Sequence, residues 1–569
     1  YPYDNVFVFD FYNVLTSNGG SPAVSDLNRE TGNHHRWWNG AVQHKTDGGS
    51  NVAKYPSGDD HPNAVGSRKA AAEFLPLLNI AYNRFKNNRP VPPTPGPFSF
   101  YFAEGTCRPG FDPYLCIQNP GSAGADVKIT YMSGDGKTDT QTIVVPASSR
   151  STVVVKDKLG EADDQAHDFS CKVECTNGQA IIAERPMYFN YHSASSAGAA
   201  AGGGHQGASN PSGGQPGWTG GSDAVGAGSP GNRWFFAEGT TLPGFDEYVT
   251  VQNPGPLAAN LTFHYMVEGE GEKVVTGRVQ PLSRATFRTR DQVGDGKNVS
   301  LSLESDQDVV AERPMYFDYR GLASNNWTGG HDVVGGSVGA GFYFAEGTTR
   351  SGFEEWLCLM NPGTSEITVD ATYLLGPGQG DPVKKSYTVP PLQRLTVSVN
   401  REIGPDKDVS VSLKSNPDMV HDFCAERSMY FNYKPGERNW DGGHDVIGAF
   451  NPSTAWFFAE GTCRPGFDPY ICIQNPGASA AAVKVTYMLG NGSTSEQTLT
   501  VAAHTRSTVA VKDKLGEAND TAHDFSARVE CTNGQGIVAE RPMYFDYNGV
   551  WSGGHDVVGF VPNLALRLR

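Results

Sequence analysis

A chain of 569 residues is too long for one hydrophobic core and implies several domains. Its formal net charge of −16 argues against nucleic acid as a partner, because phosphate recognition needs a basic footprint, and no apolar run approaches the ~20 residues that cross a bilayer. With 68 glycines, 38% hydrophobic and 19% charged residues, the profile is that of a turn-rich, β-leaning globular chain. It opens at Tyr1 without Met or signal sequence, the expectation for a processed or partial chain.

Residues 1–97 stand apart. "NVFVFDFYNVL" from Asn5 is a nearly continuous apolar run, as in a strand buried on both faces. "SRKAAAEFLPLLNIAYNRFK" from Ser67 places Ala71, Phe74, Leu75, Leu78, Tyr82 and Phe85 on one helical stripe, with a kink expected at Pro76. Strand, loop and helix make a small α/β segment that cannot bury its own faces. Just before the helix, "SGDDHPNAVGSRKA" resembles the last block of the SGNH (GDSL-like) hydrolases. That resemblance implies His61 as general base for a serine, oriented by Asp59 or Asp60. The family's usual Asp position is occupied here by Gly58, and the first 97 residues hold no GDS nucleophile block. A secreted esterase, with the remaining chain as spacer or glycan-binding modules, is therefore the alternative reading.

Three signatures then recur four times in fixed order. The first is "FAEGT…GF…NPG", with Glu104, Glu238, Glu346 and Glu460. The second is "AERPMYF" or "AERSMYF", with Arg185, Arg313, Arg427 and Arg541. The third is "WxGGxDxxG", in which His331, His444 and His555 are matched by Ser222 in the first copy. The repeats span 98–228, with a Gly/Ala/Ser-rich insertion at 192–217, then 229–336, 337–450 and 451–560, followed by a tail at 561–569. Within each, period-two runs such as "NLTFHYMVEG" and "NVSLSLES" alternate with turn residues every eight to twelve positions. This pattern predicts antiparallel β-sandwiches, so the chain is mainly β, with no helical period of useful length.

Charges set among Phe, Ala, Met and Tyr are tolerable only when partnered, so the first-signature glutamates and second-signature arginines are expected to form structural ion pairs. The competing reading is a metal site built from the AEGT Glu, the GFD acid and the GGHD His–Asp. "KDKLGEADDQAHD" and "KDKLGEANDTAHD" offer oxygen ligands for Ca²⁺ but lack the spacing of a calcium-hand loop; no other cofactor is indicated. The repeats resemble a β-sandwich module of unassigned function found in large secreted and surface proteins of bacteria and archaea. The resemblance implies an immunoglobulin-like extracellular array and carries no activity.

Nine cysteines lack zinc or haem spacing. Their recurring positions suggest staples across the sandwiches in an oxidising compartment: Cys116 with Cys175, Cys472 with Cys531, Cys107 with Cys171 and Cys358 with Cys424, leaving Cys463 free. Neither end repeat looks like a polar cap. In the tail, Leu564, Leu566 and Leu568 alternate with Ala565, Arg567 and Arg569, as in a strand with one buried face. The expected function is thus a structural or adhesive rod, polymerising head-to-tail into a filament through Asn563–Arg569, with other copies of itself and cell-surface components or glycans as partners.

Overall fold

The period-two runs fold as strands wherever the computed structural model describes the chain: residues 35–38, 41–44, 98–191, 217–321, 326–415, 422–434 and 439–562. The chain divides into two units, Tyr1–Thr94 and Pro95–Arg569. In the first, the described residues form a hairpin of β1 (His35–Trp38) and β2 (Ala41–His44), with His35 opposite His44. The strand expected from Asn5, the helix expected from Ser67, Asp59, Asp60 and His61, and the tail strand 563–569 lie outside the described residues.

In the second unit the first repeat shows the plan. One sheet orders β3 (Ser99–Phe102), β8 (Phe169–Cys175), β5 (Ala125–Ser133) and β6 (Thr138–Val145). The other orders β11 (Trp218–Ser222), β10 (Met187–Tyr191), β4 (Phe111–Asn119) and β7 (Ser149–Val154), with β9 (Ile182–Glu184) also on β4. All pairings are antiparallel. Alternate residues of the two sheets, among them Phe100, Phe102, Leu115, Ile117, Val127, Ile129 and Val173, form the core between them. The other repeats follow the same order. In the second, a single strand Val299–Arg320 replaces β8 through β10, because "ESDQDVV" is shorter there than "ECTNGQAIIA" in the first.

Each repeat also holds a five-residue helical turn, as at α1 (Val155–Leu159), which is too short to show a period in sequence. Asn119 in the NPG turn explains that signature. Its side chain donates to the carbonyls of Ala123, Val145 and Pro146 and accepts from Gly121 N, and Asn361 and Asn475 repeat the pattern.

Two expectations are corrected. All nine cysteines are buried free thiols. Cys116 faces away from its own core, with Arg150 Nη2 at 2.9 Å, whereas Cys175 lies inside that core, within 3.1 Å of Asn177. The strand partner of Cys424 is Met360, which leaves Cys358 two positions along, too far for a disulfide. Cys472 instead contacts Glu346, Cys531 contacts Asn533, and Cys107, Cys171 and Cys463 are buried unbridged. The disulfide argument for an oxidising compartment falls with the pairs.

The second correction concerns the rod. The repeats contact one another in cyclic order. The backbone amides of Ala103, Ala237, Ala345 and Ala459 donate to Glu312, Glu426, Glu540 and Glu184 of the following repeat, the fourth returning to the first. An array closed on itself has no ends, which accounts for the missing caps.

Candidate functional site

The third signature builds the centre of the ring. β11 and its counterparts, 326–334, Asp441–Ile447 and Trp551–His555, lie side by side. A Cβ on Gly220 would stand 3.2 Å from Gly329 Cα, one on Gly329 3.1 Å from Gly442 Cα, one on Gly442 3.0 Å from Gly553 Cα, and one on Gly553 3.0 Å from Gly220 Cα. The first glycine of each GG pair is thus required by backbone approach around the circuit. The second lies under a phenylalanine of the preceding repeat: Phe545 over Gly221, Phe189 over Gly330, Phe317 over Gly443 and Phe431 over Gly554. Stacked tyrosines close the same circuit, Tyr191–Tyr316, Tyr319–Tyr430, Tyr433–Tyr544 and Tyr547–Tyr188, with centroids 4.0 to 4.2 Å apart.

Every junction carries a buried ionic cluster. Arg185 pairs with Glu312 at 3.1 Å and with Asp332; Arg313 with Glu426 at 2.9 Å and with Asp445; Arg427 with Glu540 at 3.3 Å and Asp556 at 2.6 Å; Arg541 with Glu184 at 3.1 Å and with Asp223. The AEGT glutamates complete the clusters. Glu238 pairs with Arg313, and Glu460 Oε2 lies 3.5 Å from Arg541. Glu104 takes Arg284 at 2.8 Å, and Glu346 takes Arg506 at 3.1 Å, each from the next repeat. Sequence reading named the arginines but missed the AER glutamates and GGxD aspartates as their partners, and missed Arg150, Arg284, Arg394 and Arg506. The signal was present in "SRST", "SRAT", "QRLT" and "TRST" at matching places.

At two junctions a second arginine bonds a carboxylate as well, Arg284 to Glu104 and Arg506 to Glu346, whereas Arg394 and Arg150 donate to the carbonyls of Gly239 and Gly461. Burial, with the like charge of the neighbouring acid, holds Glu312 and Asp223 well above the ordinary carboxylate range. Burial likewise holds Glu426 and Glu540 well above that range. Glu238, Glu426 and Asp445 stand close enough for a metal ion, but the guanidinium of Arg313 bonds to all three. Nor do the histidines join the aspartates in a ligand set. Adjacent strand residues point to opposite faces, and Arg313 of the second repeat meets Asp445 while His444 turns towards Tyr544 of the fourth. The acids of the Lys156 stretch are engaged as well: Asp163 and Asp168 by Arg108, Glu161 by Lys156.

His331, His444 and His555 are buried, and neither ring nitrogen of His331 or His444 has a hydrogen-bond partner. Burial pushes the His331 imidazole down to about 4, with Arg313 adding to the shift against Asp445. Burial and then Arg427 or Arg541 hold His444 and His555 well below the ordinary range. A base with a depressed native pKa contributes stability above its unfolded value, near 6.5, which is lost as pH falls towards the native value. Conversely, burial raises Glu247 and Glu355 to about 8, so their contribution, full below the ordinary 4.5, is lost as pH rises through 8. The histidines should therefore lower the urea midpoint as pH falls from 6.5, while the raised glutamates lower it as pH rises from 4.5 through 8. Replacing the three histidines with serine, the residue at 222, should raise the midpoint below pH 6.5 relative to its value at 7, and Glu355→Gln should flatten the decline between 6.5 and 8. Unchanged slopes would contradict both assignments.

Between the fourth and first repeats lies a cleft of about 860 Å³. Its floor is Arg150, Cys116 and Glu460, its walls include Tyr114, Phe467 and Tyr547, and its mouth is edged by Val154, Arg464, Asn519 and Asp524. Arg464 is fixed by Asp524 at 2.6 Å, and the hydroxyls of Tyr114 and Tyr547 meet at 2.8 Å.

No family model and no curated protein matches the chain. Among solved structures, Thermotoga maritima 1070 is 19% identical over 19% of this chain and 94% of its own, at TM-score 0.17. The Anabaena sensory rhodopsin transducer is 26% identical over 16% of this chain and 95% of its own, at TM-score 0.14. A tetra-tandem repeat from the extending region of a large adhesion protein is 10% identical over 78% and 98%, at TM-score 0.10. Likenesses at these scores assign neither fold nor function to the whole chain.

Proposed function

We propose that the chain is a structural, adhesive protein of the extracellular surface, in which four immunoglobulin-like sandwiches close into one rigid platform. The observation that carries this reading is the unbroken circuit of Arg–carboxylate clusters across all four junctions. Such a circuit fixes the repeats relative to one another, as a presenting scaffold requires and a flexible string does not. The nucleophile, base and acid of a hydrolase have no counterpart in these clusters, whose arginines hold the acids in place. The location rests on the resemblance of the repeats, and the partner is a component of a cell surface. The head-to-tail contact expected through Asn563–Arg569 falls on residues outside the described ones.

Small-angle scattering and sedimentation on the intact chain, together with binding of the labelled chain to isolated cell envelopes, test the proposal. A compact monomer that binds envelopes is expected. An extended particle would end the ring reading, and a compact particle that binds no envelope would end the adhesive one.

A further inference from the structure

The cleft at the fourth–first junction has a chemistry that narrows its ligand. Two atoms on its floor are buried without hydrogen-bond partners: Glu460 Oε2, an acceptor, and Arg150 Nε, a donor. Arg284, Arg394 and Arg506 leave the same Nε unpartnered at the other junctions, so the atom particular to this cleft is Glu460 Oε2, an acceptor for a ligand hydroxyl. Phe467 is only partly buried and meets its ring neighbours tilted or edge-on, none stacked on its face, so it offers apolar ring surface beside the polar floor. Two arginines, Arg150 and Arg464, and the acids Glu460 and Asp524 line the space, Arg464 being paired directly with Asp524. There is no surplus of positive charge for a phosphate or sulfate, and two guanidiniums disfavour a cation.

The mouth is open here for a reason visible in the chain. At the first–second junction the counterpart of Val154 is Arg288, which pairs with Asp246 at 2.5 Å and lies 6.0 Å from the Tyr248 centroid. At the third–fourth junction Lys434 pairs across to Asp468. At the fourth–first junction Val154 is 37% exposed and bridges nothing, and Asp112 is already held by Lys156 at 2.8 Å and by the Tyr547 hydroxyl at 3.1 Å.

We propose that this cleft binds a neutral saccharide, with one sugar hydroxyl donating to Glu460 and the ring's C–H face against Phe467. The proposal rests on the adhesive reading and supplies its ligand class. The test is calorimetric titration of the full chain with cellotetraose, mannotetraose and chitotetraose, with a heparin tetrasaccharide as the anionic comparison. At least one neutral oligosaccharide is expected to bind, and Val154→Arg should weaken it tenfold or more. Arg288 occupies the matching backbone position, φ −79° and ψ 120° against −81° and 108° at Val154, so this variant should melt at the wild-type temperature. The proposal is overturned if none of the three neutral sugars binds, if Val154→Arg binds as wild type, or if the heparin fragment binds more tightly. Envelope binding that persists without affinity for neutral sugars would remove the ligand class alone; sugar affinity without envelope binding would remove the adhesive reading alone.

Discussion

Arg541→Ala should cost the folded chain about 3–5 kcal/mol, the range for breaking a buried ion pair from one side. Arg541 has no exposed side-chain surface, and its partners Glu184 and Asp223 have none either. Alanine leaves these two carboxylates without solvent contact and without their cation, with Glu460 of the cleft floor close by. The cost is therefore the desolvation of the acids left behind, more than the attraction lost. This predicts a partial rescue: adding Glu184→Gln and Asp223→Asn to Arg541→Ala should recover a large part of the loss. It also predicts where the ring yields. The affected surfaces join the fourth repeat to the first, which are far apart in sequence, so scattering on the single variant should show an opened particle with its sandwiches still folded. Urea denaturation of the three proteins decides the matter. A loss below about 1 kcal/mol, in the range of exposed pairs, would mean that the cluster does not hold the ring.

The β architecture was legible because its signals are local. Period-two runs, NPG turns and the repetition of three signatures need only a few consecutive residues each. The ring was not legible, because four repeats that share three signatures give the same sequence pattern whether each meets the next in a line or the last returns to the first. Two residue-level hints pointed to closure. The GG doublet in every third signature signalled a close approach of backbones, and the missing polar cap at either end signalled that neither end faces water. The ion pairs were half legible. A charged residue between apolar neighbours demands a partner, but the partners of Arg185, Arg313, Arg427 and Arg541 come largely from the following repeat, a relation no single signature contains. The cysteine positions misled because recurrence at matching places reflects descent of the repeats from one another as readily as pairing. Cys116 faces a junction and Cys175 a core. The cleft depends on what is absent from the fourth–first junction, counterparts of the Arg288 and Lys434 bridges, and such an absence has no signature within a single repeat.

Gly442→Val should be as damaging as losing an arginine, though for a steric reason. Gly442 is not among the residues with positive φ, so its conformation is open to any side chain, and the cost comes from space alone. A Cβ there meets Gly553 Cα at 3.0 Å and Phe431 Cζ at 3.0 Å. The first contact is backbone and cannot swing aside, and the second is pinned because the same ring covers Gly554. Over-packing a close-fitted interior typically costs about 1–3 kcal/mol; Gly442→Ala should fall within that range and Gly442→Val beyond it. Because the displaced strand carries His444 and Asp445, the larger variant should also weaken the Arg313 cluster on the other side of the sheet, so that Gly442→Val and Arg313→Ala are less than additive in a double-mutant cycle. Gly231→Ala is the control: its Cβ would meet only Trp234 at 3.9 Å, at ordinary contact distance, and its effect should lie within about 0.5 kcal/mol of zero. If Gly442→Val melts as the wild type does, the backbones of the third and fourth repeats do not approach as described, and the ring has no closed centre.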